Sequence, residues 1–429
     1  METALVILLT IIGVSVIPFI VSNAISKQSG IVSIIFYLFF GIQTSVGFFG
    51  IPVSEWGGVL LCIALPLIYL HYRTRPGLIP TPGKKPISMM FFSLAMSVIY
   101  AIFFSNNSDI FLSKFDFNFI FGIICFYCIF FLLSLDVLKF DRLLKSILFS
   151  GVPIVIYPML KIIKIKGVQG LSINRLGSFT TVNPNTISSF LDILLPVAIF
   201  LALNEKRKTI KILYLGLTVI YTVGIYLTSS RGSLPGVMII VLYLGRALYT
   251  KKQIILFAIF VGAIFSILFN GDSHGAAKRL VKPNRADLVS DFDRIRLYKA
   301  AQKALEINHY IFGMGINTFT RDKFKYGFPR WLDNKKALSS HNFYLEVWLG
   351  WGVLALAGWL TLSLGLTLRL AKTKIEASIL PYKKSIILAL IGFSLHSLVD
   401  SVMTLTPIIL ILFTLFACTA YLINFKKSA

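Results

Sequence analysis

Four side chains in this sequence are of types that handle phosphorylated substrates: Arg175, Arg231 and Arg294, which can clamp an anion, and His341, which can take a proton. Arginine presents a planar fork of donors that matches phosphate oxygens. Histidine, with an unperturbed pKa of about 6.5, is the side chain best matched to general-base work at neutral pH. Arg175 lies in Asn174-Arg-Leu-Gly-Ser-Phe-Thr-Thr-Val-Asn183-Pro184-Asn185, a polar turn in which Asn183 or Asn185 is placed to cap a following helix. Arg231 sits in Ser229-Ser-Arg-Gly-Ser233, a hairpin so tight that the guanidinium is held among hydroxyls between two apolar runs.

Residues 294–306 read as an amphipathic helix. Leu297, Tyr298, Ala301 and Leu305 share the face of Arg294, whereas Arg296, Lys299 and Lys303 point elsewhere. A guanidinium on an apolar stripe needs an anionic partner, either a carboxylate such as Asp291 or a ligand. His341-Asn342-Phe-Tyr-Leu-Glu346 leads into an apolar run, and Asp192, Glu346 and Asp400 are the acids near or inside apolar runs on the same side. Ionisable groups at membrane depth are expensive, so they default to a functional reading. Plainer readings stand beside it: Lys161, Lys164, Lys166 and Arg175 against lipid headgroups, Arg231 snorkelling to the interface, and His341 as a structural hydrogen bonder.

Other motifs do not carry chemistry. Gly313-Met-Gly315 lacks a third glycine and a preceding strand, Ser340-His341 is no triad, and His396 with Asp400 offers too few ligands for a metal. The expected site is therefore arginines and one histidine, with no metal and no cofactor.

These residues must be positioned by membrane helices. Of 429 residues, 56% are hydrophobic and 14% charged, against roughly 45–50% and 25% in soluble domains. Apolar runs fall at 2–22, 31–50, 57–72, 88–105, 117–135, 146–160, 185–203, 212–229, 233–249, 253–269, 343–368, 385–399 and 405–424. A spanning helix needs about 20 apolar residues, so the pattern predicts an all-α polytopic membrane protein of 12 or 13 transmembrane helices. The units are residues 1–184 with a basic loop at 161–184, central helices over 185–269, a large loop with short helices at 270–340, and C-terminal helices over 341–429.

Net charge is +24, with 42 Lys and Arg against 18 Asp and Glu. The basic residues cluster in short loops between apolar runs, which argues against nucleic acid. Alternate loops and the tail hold 22 of the 42, the opposite short loops hold 6, and the long loop holds 14. The positive-inside rule places the 22 in the cytoplasm and the long loop outside. Cys62, Cys125, Cys128 and Cys418 all lie in apolar runs and suggest packing, not disulfides or metal. The first run lacks a basic flank and a clean cleavage signal, so it reads as retained. No internal repeat is visible. Phe324, Tyr326, Phe328 and Trp331 could stack on sugar rings or pack hydrophobically.

In order, spacing and side, these elements resemble the superfamily of O-antigen ligases and O-antigen polymerases. The elements are the Arg175 loop with Asn183-Pro-Asn185, the Ser230-Arg-Gly232 hairpin, the Arg294-x-x-x-Tyr298 helix, Phe312-Gly-Met-Gly315, His341-Asn342 and Asp400. The resemblance is best from Arg175 to Asp400 and rests on hydropathy before that. It implies a metal-independent glycosyltransferase of a bacterial inner membrane, acting at the periplasmic face on a polyprenyl (undecaprenyl) diphosphate-linked oligosaccharide. By that resemblance Arg231 and Arg294 bind the diphosphate, Arg175 assists, His341 is the base, and Asn342 and Asp400 complete the substrate site. The acceptor is another lipid-linked repeat unit in a polymerase and lipid A core in a ligase; a chain-length regulator is a possible partner. The ligase pattern follows His-Asn by nine residues, then Gly-x-x-Gly, or Thr or Tyr in the last place. Here Gly352 fits but Ala355 does not, which tilts the expectation toward a polymerase. The reading from another class is a glycolipid flippase, but transporters place polar groups near the midplane, and most runs here have uncharged centres.

Overall fold

The computed structural model describes residues 47–48, 51–52, 82–104, 114–134, 136, 138–168, 170–176, 183–247, 285–309, 311–315, 318–329, 340–401 and 406–425. The apolar runs at 2–22, 31–50, 57–72 and 253–269 lie outside them, apart from a minimal antiparallel pairing of Gly47–Phe48 with Ile51–Pro52. The other nine runs form α1 (Lys84–Phe104), α2 (Lys114–Ser134), α3 (Phe140–Lys166), the single turn α4 (Gly170–Ile173), α5 (Pro184–Asn204), α6 (Lys208–Thr228), α7 (Leu234–Ala247), α8 (Arg285–Ala304), α9 (Thr318–Asp322), α10 (Phe343–Trp351), α11 (Val353–Lys372), α12 (Leu380–His396) and α13 (Thr406–Phe425), with α4, α8 and α9 in the stretches between them. Among the described residues five helices are long and apolar enough to cross a membrane: α3, α5, α6, α11 and, over Ile408–Phe425, α13. The chain is an all-α, multi-pass membrane protein.

The centre of the bundle is α5, buried along almost its whole length from Thr186 to Ala202. It is mostly apolar, as suits a helix enclosed by other helices, with Ser188, Ser189 and Asp192 as buried polar exceptions in its first half. Its start is fixed locally: Asn183 accepts a hydrogen bond from the Asn185 amide at 2.9 Å and Pro184 occupies the first turn. Helices α6, α12 and α3 pack around it, while α2 pairs with α13 and α11 with α1. An aromatic cluster joins the second group, with Phe119 4.5 Å from Trp351 and 5.5 Å from Phe413 between ring centroids, both edge-on. In lipid such packing, more than water exclusion, holds helices together.

Two stretches differ from expectation. The lysines at 161, 164 and 166 are not in a loop: α3 continues to Lys166, because Ile162 supplies another buried contact and a cation in the last turn suits the helix dipole. The apolar run 343–368 is not one helix but two, broken at Gly352, which has φ +91°. At the break Ser93 and Ser97 of α1 donate to the Trp351 and Gly350 carbonyls at 2.5 and 2.7 Å. The Phe312-Gly-Met-Gly315 turn docks on the same place: Met314 and Gly315 donate to the carbonyls of Leu349 and Gly350, and the Val353 amide donates to Ile311. Backbone freed by the break is thus satisfied by protein, one of the ways in which broken helices persist at membrane depth.

Helix α8 begins nine residues earlier than the periodicity suggested and runs into a π-helical turn at Leu305–His309. Leu297, Ala300, Ala301, Ala304 and Leu305 form a small second core with Met314, Phe319, Phe328 and Leu349. Phe324 and Tyr326 pack against that core and Phe328 belongs to it, so these aromatics serve packing. Trp331 lies outside the described residues.

Candidate active site

The site forms where the ends of α5, α6 and α12 meet the middle of α8 and the start of α10. Helix α6 ends in a left-handed residue, Ser229, with φ +49°; a short 3-10 turn at Arg231–Ser233 then reverses the chain into α7. That reversal leaves Arg231 no room for a flexible loop. The segment before α5 is tied to the same end, with the Leu176 amide donating to the Leu227 carbonyl at 2.7 Å and Arg175 Nε donating to the Thr228 carbonyl at 2.8 Å. Arg175 therefore satisfies a carbonyl at the α6 C-terminus, which a cation also complements electrostatically.

Arg175, Arg231, Arg294 and Asp400 line one polar cavity of about 60 Å³, together with Asn185, the Ser229–Gly232 turn, His396 and Val399. That is room for roughly four water-sized groups, the scale of one phosphate's oxygens. Three cations that are far apart in the chain thus face one space, and the hydroxyl-bearing turn at Ser229 and Ser230 adds neutral donors.

A hydrogen-bonded line runs along one wall. Arg175 Nη2 donates to Asn185 Oδ1 at 3.1 Å, Asn185 Nδ2 donates to Asp400 Oδ2, and Asp400 Oδ1 lies 3.2 Å from His341 Nδ1. Burial alone would push the Asp400 carboxyl up. The hydrogen bond from His341, with nearby positive charge that includes Arg294, outweighs burial and holds it below the usual carboxylate range. An ionised Asp400 can only accept, so His341 carries its hydrogen on Nδ1 and its lone pair on Nε2. That is the tautomer of a general base steadied by a carboxylate.

The backbone around His341 is over-determined. His341 has φ +53°, a left-handed conformation that costs a non-glycine residue of the order of 1 kcal/mol. Asn342 holds it there: its Oδ1 accepts from the Leu345 amide at 3.0 Å, capping α10, and its Nδ2 donates to the Leu398 carbonyl at 2.9 Å. The Phe343 amide donates to the Ser397 carbonyl and the Glu346 carboxylate receives the Ser340 amide. From α8, Tyr298 reaches the His341 carbonyl at 3.4 Å. Asn342 thus uses its amide on backbone and positions His341 against the 397–400 turn.

All six residues singled out from sequence fall in this one region. Sequence reasoning did not find Asn185 as the link to Asp400, nor His396 in the cavity wall. For Asn185 the available signal was its place in the first turn of a helix whose cap was Asn183; for His396 it was an imidazole four residues before Asp400. Among the described residues no three His, Cys, Asp or Glu side chains come together in a way that could hold a metal ion.

A comparison with curated proteins gives no match. Residues 216–360 match the family model described as O-antigen ligase, a stretch that begins within α6, takes in Arg231, Arg294 and His341-Asn342, and ends within α11. Arg175 and Asp400 lie to either side of it and are joined to it by the contacts above. Residues 216–360 are thus similar to the O-antigen ligase family, which supports the likeness to the O-antigen ligase and polymerase superfamily seen in the sequence.

Proposed function

We propose that this protein is a polymerase of lipid-linked oligosaccharide repeat units, moving glycan from a polyprenyl diphosphate onto a sugar hydroxyl at the external membrane face. The observation that carries this reading is the convergence of three arginines on one cavity whose wall ends in the Asp400–His341 pair. In the reaction His341 Nε2 takes the proton of the acceptor hydroxyl as that oxygen bonds to the anomeric carbon. The bond from that carbon to the diphosphate oxygen breaks, and its electron pair leaves with the diphosphate. Arg175, Arg231 and Arg294 stabilise the charge that develops there, the task a preorganised set of donors performs best away from bulk water. Charge compensation of this kind lets the transfer run without a metal.

The positive-inside pattern supports an external site: the alternate loops and the tail hold 22 of the 42 basic residues against 6 in the opposite short loops, and a long loop crosses largely regardless of its own charge. A bacterial inner membrane, an undecaprenyl donor and a separate chain-length regulator accord with the family likeness.

The family's description favours a second reading, ligation to lipid A core. The preference for a polymerase rests on Ala355, which is fully buried in α11 and is not part of the cavity wall. The two readings are separated by the acceptor alone. Purified protein in liposomes, given its polyprenyl diphosphate repeat unit as the only sugar substrate, with and without EDTA, is expected to yield a ladder of products in both cases. Product that forms only when lipid A core is added makes the protein a ligase. No product with either acceptor returns the flippase reading.

A further inference from the structure

The proposed reaction leaves one buried pair unused. At the C-terminus of α12, His396 is fully buried, and its Nδ1 lies 2.7 Å from Asp192 Oδ2 in the middle of the bundle. Ser233 Oγ is 3.3 Å from the same nitrogen and hydrogen-bonds in turn with Ser188. The other ring nitrogen, Nε2, is buried without a hydrogen-bond partner, although the ring forms part of the wall of the arginine cavity. Its neighbour there is Gly232, where an added Cβ would stand 2.7 Å from Nε2. The glycine therefore packs directly against that edge of the imidazole, where any larger residue would collide with the ring. An unsatisfied buried polar atom calls for a physical reason.

The chemistry of the ring supplies one. A carboxylate at Asp192 can only accept, so Nδ1 carries hydrogen, and Nε2 bears a lone pair in the neutral ring and an N–H in the protonated one. The charged groups that face His396 are Asp192 from α5, Arg231 from the hairpin, Arg175 from before α5, Arg294 from α8 and Asp400 from its own turn, with His341 behind Asp400. Adding a proton is favoured by Asp192 and opposed by the guanidiniums; an anion in the cavity removes that opposition. The formal charges agree. Three guanidiniums and two carboxylates leave the site one positive charge, whereas a diphosphate joined to sugar and lipid carries two negative ones. A proton on His396 closes that gap, and the proton His341 gains in transfer matches the third charge of the departing diphosphate.

We propose that His396 is a phosphate contact of this cavity and takes up a proton as the diphosphate binds, so that Nε2–H donates to a phosphate oxygen while Asp192 balances the imidazolium. The proposal rests on the reading that the cavity receives a diphosphate, and it adds a fourth cation that exists only when the substrate is present. Neutral in the absence of anion, His396 limits like-charge repulsion among the arginines; charged in its presence, it tightens their hold.

The test uses purified full-length protein and a symmetric dialkyl diphosphate, a probe with no proton that titrates near neutrality. Calorimetric titration in buffers of different ionisation heat is expected to show uptake of close to one proton per probe bound by the wild type. It should show almost none by His396→Gln, and unchanged uptake by His341→Gln. The Kd of the wild type should rise with pH by a factor approaching ten per unit where the ring titrates, and that of His396→Gln should stay flat. Should His396→Gln fail to fold, as read by its melting curve, Asp192→Asn serves in its place, with proton uptake expected to fall. Probe binding without proton uptake, or uptake undiminished in His396→Gln or Asp192→Asn, overturns the proposal. Polymer formation with no proton uptake sinks this inference and leaves the polymerase reading standing; His396-dependent uptake in a protein that makes no polymer does the reverse. Failure of the wild type to bind the probe removes both.

Discussion

Asp400 faces His341 across 3.2 Å with one carboxylate oxygen and receives the Asn185 amide with the other, so one side chain from the end of α12 ties the start of α10 to the start of α5. The segments it joins lie far apart in the chain, and the cavity sits between them. Whatever fixes His341 also fixes the wall on which the arginines converge.

The first consequence concerns the base itself. His341→Ala removes the proton acceptor whose tautomer is set by Asp400, and general-base catalysis is worth about 10²–10⁴ in rate. Polymer made in cells or liposomes should fall by about that factor while lipid-linked precursor accumulates outside. Accumulation on the cytoplasmic side would instead identify a flippase.

Arg231→Lys should also be damaging. The guanidinium is presented by a three-residue turn with no slack, and an ammonium cannot reproduce two parallel contacts to phosphate. Loss of one charge-assisted hydrogen bond costs about 1.5–3 kcal/mol, so kcat/KM for the lipid-linked substrate should drop by roughly 10- to 100-fold. Wild-type kinetics in this variant would make Arg231 a headgroup anchor.

The three arginines were legible because each breaks a local rule. Arg175 is basic on the side that the charge pattern leaves poor in cations, Arg231 sits in a hairpin too tight for a solvated loop, and Arg294 interrupts an apolar stripe. Local rules reach only one turn or one loop. The Asn185–Asp400 and Asp192–His396 contacts join residues more than 200 positions apart, and no periodicity announces such pairs. The break in 343–368 was hidden for a different reason: hydropathy is continuous across it, and what ends α10 is a positive φ at Gly352 that composition does not record. The small core beneath α8 was half legible, its apolar face read correctly but its partners Met314, Phe319 and Leu349 unknown until the chain folded back.

Asp400→Asn separates charge from shape. The carboxyl is held below its usual range chiefly by His341 against the opposing effect of burial, so it is depressed relative to the unfolded value of about 3.9. Such a group stabilises the fold at pH values above the unfolded pKa, and that stabilisation is lost as pH falls through the folded pKa. The melting-temperature gap between wild type and Asp400→Asn should therefore be constant from about pH 5 to 8 and close only in stronger acid. Activity should fall by about two to three orders of magnitude throughout, because His341 loses the partner that sets its tautomer. A gap that already closes near pH 6 would show that Asp400 is not depressed.

Two glycines give opposite expectations from the same substitution. At Gly352 a Cβ would stand 1.9 Å from the Ile311 carbonyl oxygen in a backbone with φ +91°, so Gly352→Ala must move the 311–315 turn away from the end of α10. Strain and lost hydrogen bonds of this kind cost about 2–4 kcal/mol. The displacement reaches His341, because α10 carries it at the opposite end. At Gly216, within α6, an added Cβ meets nothing within 4 Å, and alanine is the better helix former by up to about 1 kcal/mol. Gly216→Ala should melt at or slightly above the wild-type temperature with full activity, whereas Gly352→Ala should melt several degrees lower and lose most polymer formation. Equal melting temperatures for the two variants would mean that the 311–315 turn does not hold the break in place.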